Sequence, residues 1–141
     1  MIHFKKNHMN EIEAHGKEGY PHEVCGIILG LAGSEKNEAL QLRRATNLNN
    51  DRAHDRYELD PKDLLRAEKD ARDADMEIIG FYHSHPDHPD IPSEFDRERA
   101  WPSYSYIIIS VMGGKETSTK SWLLNDENQA FEEEKIIVSG E

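Results

Sequence analysis

Residues His83-Ser84-His85-Pro86 constrain the fold of this chain more than any other stretch. The flanking sequence MEIIGFYHSHP is apolar and β-branched, and Pro86 and Asp87 are turn formers, so we predict a strand that ends at the histidines. Residues i and i+2 of a strand point to the same face. Both imidazoles can therefore reach one metal ion, and the fold must hold them at the end of a strand.

Ser93 and Asp96 follow the histidines and complete the pattern H-x-H-x7-S-x2-D. Two imidazoles and one carboxylate would fill three positions of a tetrahedral zinc site and leave the fourth open. Ser93 and Asp96 also fit a helix capping box, with the serine as N-cap and the acid at N3. The two interpretations are compatible, because a helix start holds both side chains on one face. We predict His83, His85 and Asp96 as metal ligands.

Glu23 lies in the segment PHEVCGIILG, at the start of an otherwise apolar predicted strand. A carboxylate there is costly to bury unless it is paired or hydrogen-bonded. One interpretation leaves Glu23 exposed or in an ion pair, and the other makes it a general base beside the metal. Cys25, two residues further on, would share its face of the strand. We interpret Cys25 as a small buried residue, with the alternative that it modulates the site by ligating the metal or by oxidation.

The composition limits the remaining function classes. The chain has 141 residues, of which 32% are charged, and a formal charge of −11. This charge argues against a nucleic-acid partner, because phosphates require a basic patch. One cysteine forms no intramolecular disulfide, the N-terminus lacks the apolar core of a signal peptide, and no apolar run approaches the roughly 20 residues of a membrane helix. We expect one cytoplasmic domain over residues 1–141, with no membrane partner.

The other segments predict a mixed α/β (α+β) domain in which helices flank a strand-rich sheet. Asp60 and Pro61 are typical of a helix N-cap and a first helical residue, which favours a helix over 60–75. We predict further helices at 5–19 and 93–100. We predict strands at 22–33, 38–48, 57–59, 76–85, 104–112, 117–124 and 134–138.

Glu23 followed by H-x-H-x7-S-x2-D resembles the JAMM metallopeptidase family, the catalytic branch of the MPN domains. PHEVCGIILG is similar to the family's segment around its glutamate, and IIGFYHSHP to its metal strand. SYIIISV and KSWLLND…FEEEKIIV resemble the small stand-alone prokaryotic members, so the similarity covers nearly the whole chain. The resemblance implies a single MPN-type domain with cytidine-deaminase-like layering.

The resemblance also implies a zinc-dependent peptidase or isopeptidase with one Zn²⁺ per chain. In the family pattern His83, His85 and Asp96 ligate zinc. Glu23 moves a proton from the attacking water to the leaving amine, and Ser93 hydrogen-bonds the oxyanion.

The substrates that the resemblance implies are ubiquitin-like or sulfur-carrier proteins, which the enzyme cleaves at a flexible C-terminal tail. That tail is held extended beside the site, as an added strand. The chain has no large insertion near the metal loop, which argues against linkage-selective cleavage of polyubiquitin.

Two other functions fit part of the pattern. Two histidines and a carboxylate also suit a non-haem Fe(II) oxygenase or a cupin-like centre. Such centres usually lie on all-β folds, which the predicted helices disfavour, and they would leave Glu23 without a role. The chain could also be a non-catalytic MPN interaction module in which the site only stabilises the fold.

Overall fold

The computed structural model describes residues 1–140, in which eight strands form one sheet. In chain order the elements are β1 (Ile2–Lys5), α1 (Lys6–Gly19), β2 (Cys25–Leu31), β3 (Asn37–Ala45), α2 (Pro61–Asp73), β4 (Glu77–Pro86), α3 (Glu94–Arg99), β5 (Ser105–Met112), β6 (Glu116–Leu124), β7 (Phe131–Glu134) and β8 (Ile136–Ser139). The strand order across the sheet is β7-β6-β5-β4-β2-β3-β1-β8. Among residues 1–140, no helix has the length and apolar character needed to cross a membrane.

The two edges of the sheet come from consecutive parts of the chain. β7 and β8 lie at opposite edges, yet only Lys135 separates them. The amide of Ile2 in β1 donates to the carbonyl of Lys135 at 3.0 Å, beside the parallel pairing of β1 with β8. A flat sheet of eight strands is about 34 Å wide, a span that one residue cannot cross. The sheet therefore curls until its two edges adjoin.

Helices α1 and α2 cover opposite faces of the central strands. One cluster of buried apolar side chains joins α1 to the sheet and includes Met9, Ile12, Ile28 and Tyr82. A second cluster joins α2 to the other face and includes Ile27, Ala67, Ala71 and Phe81. Neighbouring residues of β2 and β4 belong to different clusters because successive side chains of a strand alternate between faces. The apolar runs of these strands thus reflect burial on both sides.

Gly26 allows Tyr82 to lie across the neighbouring strand. β2 and β4 pair so that these two residues face each other, and a Cβ on Gly26 would come within 2.1 Å of the Tyr82 ring. The Tyr82 hydroxyl is 2.7 Å from Nδ1 of the buried His15 in α1. The Tyr82 side chain therefore anchors β4 to both β2 and α1, one residue before His83.

The structure differs from the predicted elements in three places. The sequence does not predict β1, whose four residues pair only with distant parts of the chain and carry no local signal. The strand predicted at 134–138 corresponds to β8, but its first residue ends β7, a separate strand that the sequence does not predict, because the chain there leaves one edge of the sheet and enters the other. The strand predicted at 57–59 is reduced to one bridge between Asn47 and Leu59.

Candidate metal centre

His83 and His85 lie near the end of β4, between β2 and β5 at the centre of the sheet. They share the face of Phe81, which packs against α2, because the three residues are spaced two apart. Both histidines are buried, and their Nε2 atoms are 3.1 Å apart. The predicted strand therefore brings the two imidazoles to one point.

Asp96 approaches the same point from α3. Its Oδ2 atom is 3.0 Å from Nε2 of His85 and 3.2 Å from Nε2 of His83. Tetrahedral zinc with ligand bonds of 2.0–2.1 Å separates its ligand atoms by about 3.3 Å. The three atoms thus have nearly the spacing that three ligands of one such ion require.

A hydrogen bond to the backbone fixes a proton on Nδ1 of His85. Its Nδ1 lies 2.8 Å from the carbonyl oxygen of Pro89. Because a carbonyl only accepts, Nδ1 carries a proton, and in the neutral form of the ring Nε2 presents a lone pair. That lone pair faces a carboxylate oxygen and a second imidazole nitrogen, which is repulsive unless a proton or a cation lies between them.

His83 is held by stacking instead. The Tyr57 ring lies 4.5 Å from the His83 ring, centroid to centroid, at an interplanar angle of 26°. Nδ1 of His83 is buried and has no hydrogen-bond partner within residues 1–140. The sequence does not indicate that Tyr57 or the Pro89 carbonyl belongs to the site. A single aromatic residue and a backbone oxygen are not part of a recognisable sequence motif.

The loop that carries Pro89 is tied to the two strands beside it. The Ser110 hydroxyl in β5 donates to the carbonyl of His88, and the Ser118 hydroxyl in β6 donates to the carboxylate of Asp90. Nε1 of Trp122 donates to the carbonyl of Asp90 at 3.0 Å. These bonds hold the Pro89 carbonyl in place and so orient His85.

The charges of the three predicted ligands are coupled. Burial lowers the pKa of His83, against the pull of Asp96. Burial also acts to lower the pKa of His85, but the Asp96 carboxylate and the Pro89 carbonyl together raise it. Burial opposes ionisation of Asp96 as well, yet the two imidazoles hold its pKa far below the usual range. A neutral imidazole pair with an ionised carboxylate is the donor set that zinc prefers.

Glu23 lies just before β2, and its side chain points into this cluster. Its carboxylate oxygen and a ring nitrogen of each histidine lie within 4.8 Å of one another, a spacing at which these three residues could together hold a metal ion. The residue is 6% exposed, and its Oε1 is buried with no hydrogen-bond partner within residues 1–140. Burial raises the pKa of Glu23 to about 8, His85 opposes this, and Asp96 and Asp55 add to it.

Backbone contacts hold Glu23 against β4 and the loop after β3. The Glu23 amide donates to the carbonyl of Ala53, and Nδ2 of Asn47 donates to the Glu23 carbonyl at 3.1 Å. The next amide, that of Val24, donates to the hydroxyl of Ser84 at 2.9 Å. Ser84 lies between the two histidines, so the glutamate and the metal strand are positioned by one set of bonds.

Ser93 caps α3 and lines the same cleft as Glu23 and His85. Its Oγ accepts from the Asp96 amide at 3.0 Å, and its own amide donates to Asp96 Oδ2 at 2.9 Å. The predicted capping box is therefore present, and its acid is the residue that faces the histidines. A hydroxyl that accepts one bond still has its proton to donate, so the cap leaves Ser93 able to contact a substrate oxygen.

Cys25 is the register partner of His83 in the β2–β4 ladder. It is fully buried, and burial, with a contribution from Asp63, raises the pKa of its thiol to about 12. A thiolate is the form that ligates metals and reacts with oxidants. Its environment therefore favours a packing role.

Comparison with known proteins identifies relatives of this chain. Residues 5–125 match the family described as prokaryotic homologs of the JAB domain. A desampylase from Haloferax volcanii is 38% identical over 111 residues, which cover 74% of this chain and 76% of that protein. A CysO-cysteine peptidase from Mycobacterium tuberculosis is 29% identical over 119 residues, which cover 84% and 79%.

Solved structures share the architecture. Protein DSY2949 from Desulfitobacterium hafniense superposes with a TM-score of 0.88 at 32% identity, over 100% of this chain and 94% of that one. A JAB1/MPN domain protein from Archaeoglobus fulgidus, AF2198, has a TM-score of 0.59 at 17% identity, over 99% and 97% of the two chains. The second likeness is one of fold, and it confirms the predicted mixed α/β MPN architecture.

Proposed function

The chain belongs to the prokaryotic homologs of the JAB domain, and we propose that it is a zinc-dependent peptidase that cleaves an amide bond at the C-terminal tail of a ubiquitin-like or sulfur-carrier protein. One observation carries this proposal. Three lone-pair donors on His83, His85 and Asp96 converge at 3.0–3.2 Å, beside a buried and unpaired carboxylate oxygen of Glu23. Such a cluster is stable only around a positive charge.

The chemistry and the spacing of the three proposed ligands support zinc. His83, His85 and Asp96 would hold the ion, since their spacing is close to that of tetrahedral ligands. When bound, zinc supplies Lewis acidity that polarises a carbonyl and lowers the pKa of water from about 15.7 to near 7. Glu23 is proposed to lie outside this ligand set, because it forms no contact with either histidine as short as the 3.0 and 3.2 Å contacts of Asp96.

Glu23 is proposed as the group that moves the proton. Its carboxylate takes a proton from the water that attacks the carbonyl carbon, and it then gives that proton to the nitrogen as the C–N bond breaks. Burial raises the pKa of Glu23 to about 8, which makes the carboxylate a stronger base than an exposed one. A cation at the site would lower the pKa of Glu23 from about 8 toward neutral pH, where the carboxylate can both accept and donate a proton.

Ser93 is proposed to stabilise the oxyanion. The hydroxyl lines the cleft with Glu23 and His85, and the capping bond from the Asp96 amide fixes its oxygen. Its free proton can then be donated to the substrate oxygen as negative charge develops there. One such donor typically contributes about 100- to 1,000-fold to kcat.

The substrate class is proposed from the relatives. One is a desampylase and another a CysO-cysteine peptidase, and each aligns over about three quarters or more of this chain. We propose the same class for residues 1–141, acting as one catalytic domain. Each substrate would be a protein whose tail enters the cleft beside Glu23.

The test is to incubate the zinc-loaded protein with ubiquitin-like fusions that carry C-terminal extensions and to identify the products by mass spectrometry. We expect cleavage at the junction after the ubiquitin-like tail, and its loss when a chelator removes the metal. Iron in the purified protein, with oxygen-dependent turnover and no cleavage, would replace the proposal with the oxygenase interpretation. Bound zinc with no cleavage of any fusion would favour the interaction module.

A further inference from the structure

The cleft that contains the proposed catalytic groups has a basic side. It has a volume of about 410 Å³ and is lined by Glu23, His85 and Ser93 as well as by Arg52 and Arg56. The chain as a whole is acidic, with a formal charge of −11. Their partners decide whether they are structural or are available to a substrate.

The arginines around this cleft are neutralised by carboxylates, with one exception. Three pairs are formed within residues 1–140, namely Arg52 with Asp55, Arg97 with Glu94, and Arg99 with Glu58. The guanidinium of Arg56 forms neither an ion pair nor a hydrogen bond with any of these residues, in contrast to the three paired arginines. Asp55 lies close enough for the charge of Arg56 to help lower its pKa, but the main cause is the hydrogen bond from Arg52.

Arg56 is nevertheless held in place. Its guanidinium carbon lies 4.7 Å from the centre of the Phe95 ring, and the residue is half-buried. Its amide donates to the carbonyl of Arg52 at 2.7 Å. A cation–π contact occupies no hydrogen-bond acceptor oxygen, so the guanidinium keeps N–H donors for another partner.

One side chain links Arg56 to Glu23. Nδ2 of Asn47 donates to the carbonyl of Arg56 and to the carbonyl of Glu23, each at 3.1 Å. Two carbonyl oxygens that share one donor lie within roughly 6 Å of each other. The backbones of Arg56 and Glu23 are therefore held together, and both residues line the same cleft, so a group bound by Arg56 would occupy the cleft that holds the proposed base.

We propose that Arg56 binds the α-carboxylate of the leaving amino acid, so that the enzyme acts on tails ending in an α-linked residue with a free carboxylate. This inference rests on the proposed function. In such a substrate the carboxylate is attached to the carbon next to the leaving nitrogen, within reach of the same cleft. In an isopeptide to lysine, four methylenes follow the nitrogen and no carboxylate is near it. A guanidinium fork matches a carboxylate in two parallel hydrogen bonds.

The test uses one ubiquitin-like fusion with a single C-terminal alanine, prepared with a free carboxylate and with a carboxamide. We expect wild-type protein to cleave the acid with a kcat/KM roughly 10- to 100-fold above that of the amide, mostly through KM. Arg56→Gln should lose this preference and cleave both forms at the amide's rate. Arg56→Lys, which keeps the charge without the fork, should retain only part of the preference.

Arg99→Gln is the matched control. Arg99 also stacks on Phe95, at 4.6 Å, but it is paired with Glu58. We expect this variant to keep the full preference for the acid. Equal cleavage of acid and amide by wild-type protein, or a preference that survives in Arg56→Gln, would overturn the proposal while leaving the hydrolytic function intact.

Binding separates this proposal from the proposed function. The same two tails are titrated into zinc-loaded Glu23→Gln protein and followed by fluorescence anisotropy. The carboxylate site is supported if Glu23→Gln protein binds the acid with a lower Kd than the amide and the double variant with Arg56→Gln binds both equally. This result does not require that any fusion is cleaved. Equal Kd values for acid and amide would contradict it.

Discussion

Replacing Ser93 with alanine separates its role as a helix cap from its proposed role as the donor to the oxyanion. Ser93→Ala removes the Oγ that accepts from the Asp96 amide at 3.0 Å. The backbone bond from the Ser93 amide to Asp96 Oδ2, at 2.9 Å, survives, so Asp96 remains directed at the histidines. The stability cost is therefore that of one N-cap side chain, about 1 kcal/mol. For a chain of this size that corresponds to a fall in Tm of roughly 3–5 °C.

The expected loss of activity is much larger. If Ser93 donates to the oxyanion, kcat should fall about 100- to 1,000-fold, which is roughly 3–4 kcal/mol of transition-state stabilisation. The assays are thermal unfolding followed by circular dichroism, zinc content, and kcat on a cleavable ubiquitin-like fusion. Zinc content should stay unchanged, because the three predicted ligands are intact.

A second capping variant provides the comparison. Asp60 caps α2 by accepting from the Lys62 amide at 2.9 Å, away from the cleft. Asp60→Ala should cost a similar free energy of unfolding and leave kcat within about twofold. Should Ser93→Ala resemble Asp60→Ala in both stability and kcat, Ser93 is a helix cap alone and the oxyanion assignment is refuted.

Three further variants test the fold around the site. Burial lowers the pKa of His15 to about 4, below the value of about 6.5 in an unfolded chain. The unfolded state therefore takes up the proton first, and the free energy of unfolding falls as the pH drops from about 6.5 to about 4. Urea unfolding should show that wild-type protein loses up to about 3 kcal/mol more than His15→Asn between pH 7 and 4. Gly26→Ala would push a Cβ into the Tyr82 ring, and its free energy of unfolding should fall by about 1–3 kcal/mol or more, whereas an equal or higher stability would show that β4 shifts freely. Peroxide should inactivate wild-type protein and Cys25→Ala at the same rate, because the thiol is buried and its pKa is near 12; slower loss in the variant would restore the modulator hypothesis.

The local patterns of this sequence predict local structure well. Asp60-Pro61 begins a helix, the apolar run before His83 is a strand, and Ser93 with Asp96 forms a capping box. Each follows from dihedral preferences or side-chain periodicity within a few residues. The convergence of His83 and His85 is of the same kind, because i and i+2 in a strand share a face whatever surrounds them.

Features that depend on distant parts of the chain could not be predicted in this way. β1 exists only because β3 and β8 pair with it, and the division of 131–139 into two edge strands follows from the curl of the whole sheet. Stacking of Tyr57 on His83 depends on where the loop after β3 returns to the sheet. The residues alone leave Glu23 either exposed or beside the metal, and the family resemblance favours the second. The Val24–Ser84 hydrogen bond, which holds this segment against β4, joins distant parts of the chain and has no sequence pattern.

Zinc content and fusion cleavage of Glu23→Gln protein show whether Glu23 is the base that drives hydrolysis. The amide replaces the carboxylate at nearly equal volume but cannot act as a base, and Glu23 lies outside the proposed ligand set. We predict one zinc per chain in both proteins and a fall in cleavage of at least about 100-fold in the variant. Loss of the zinc would show that Glu23 is itself a ligand, and undiminished cleavage with zinc bound would contradict the proposed chemistry.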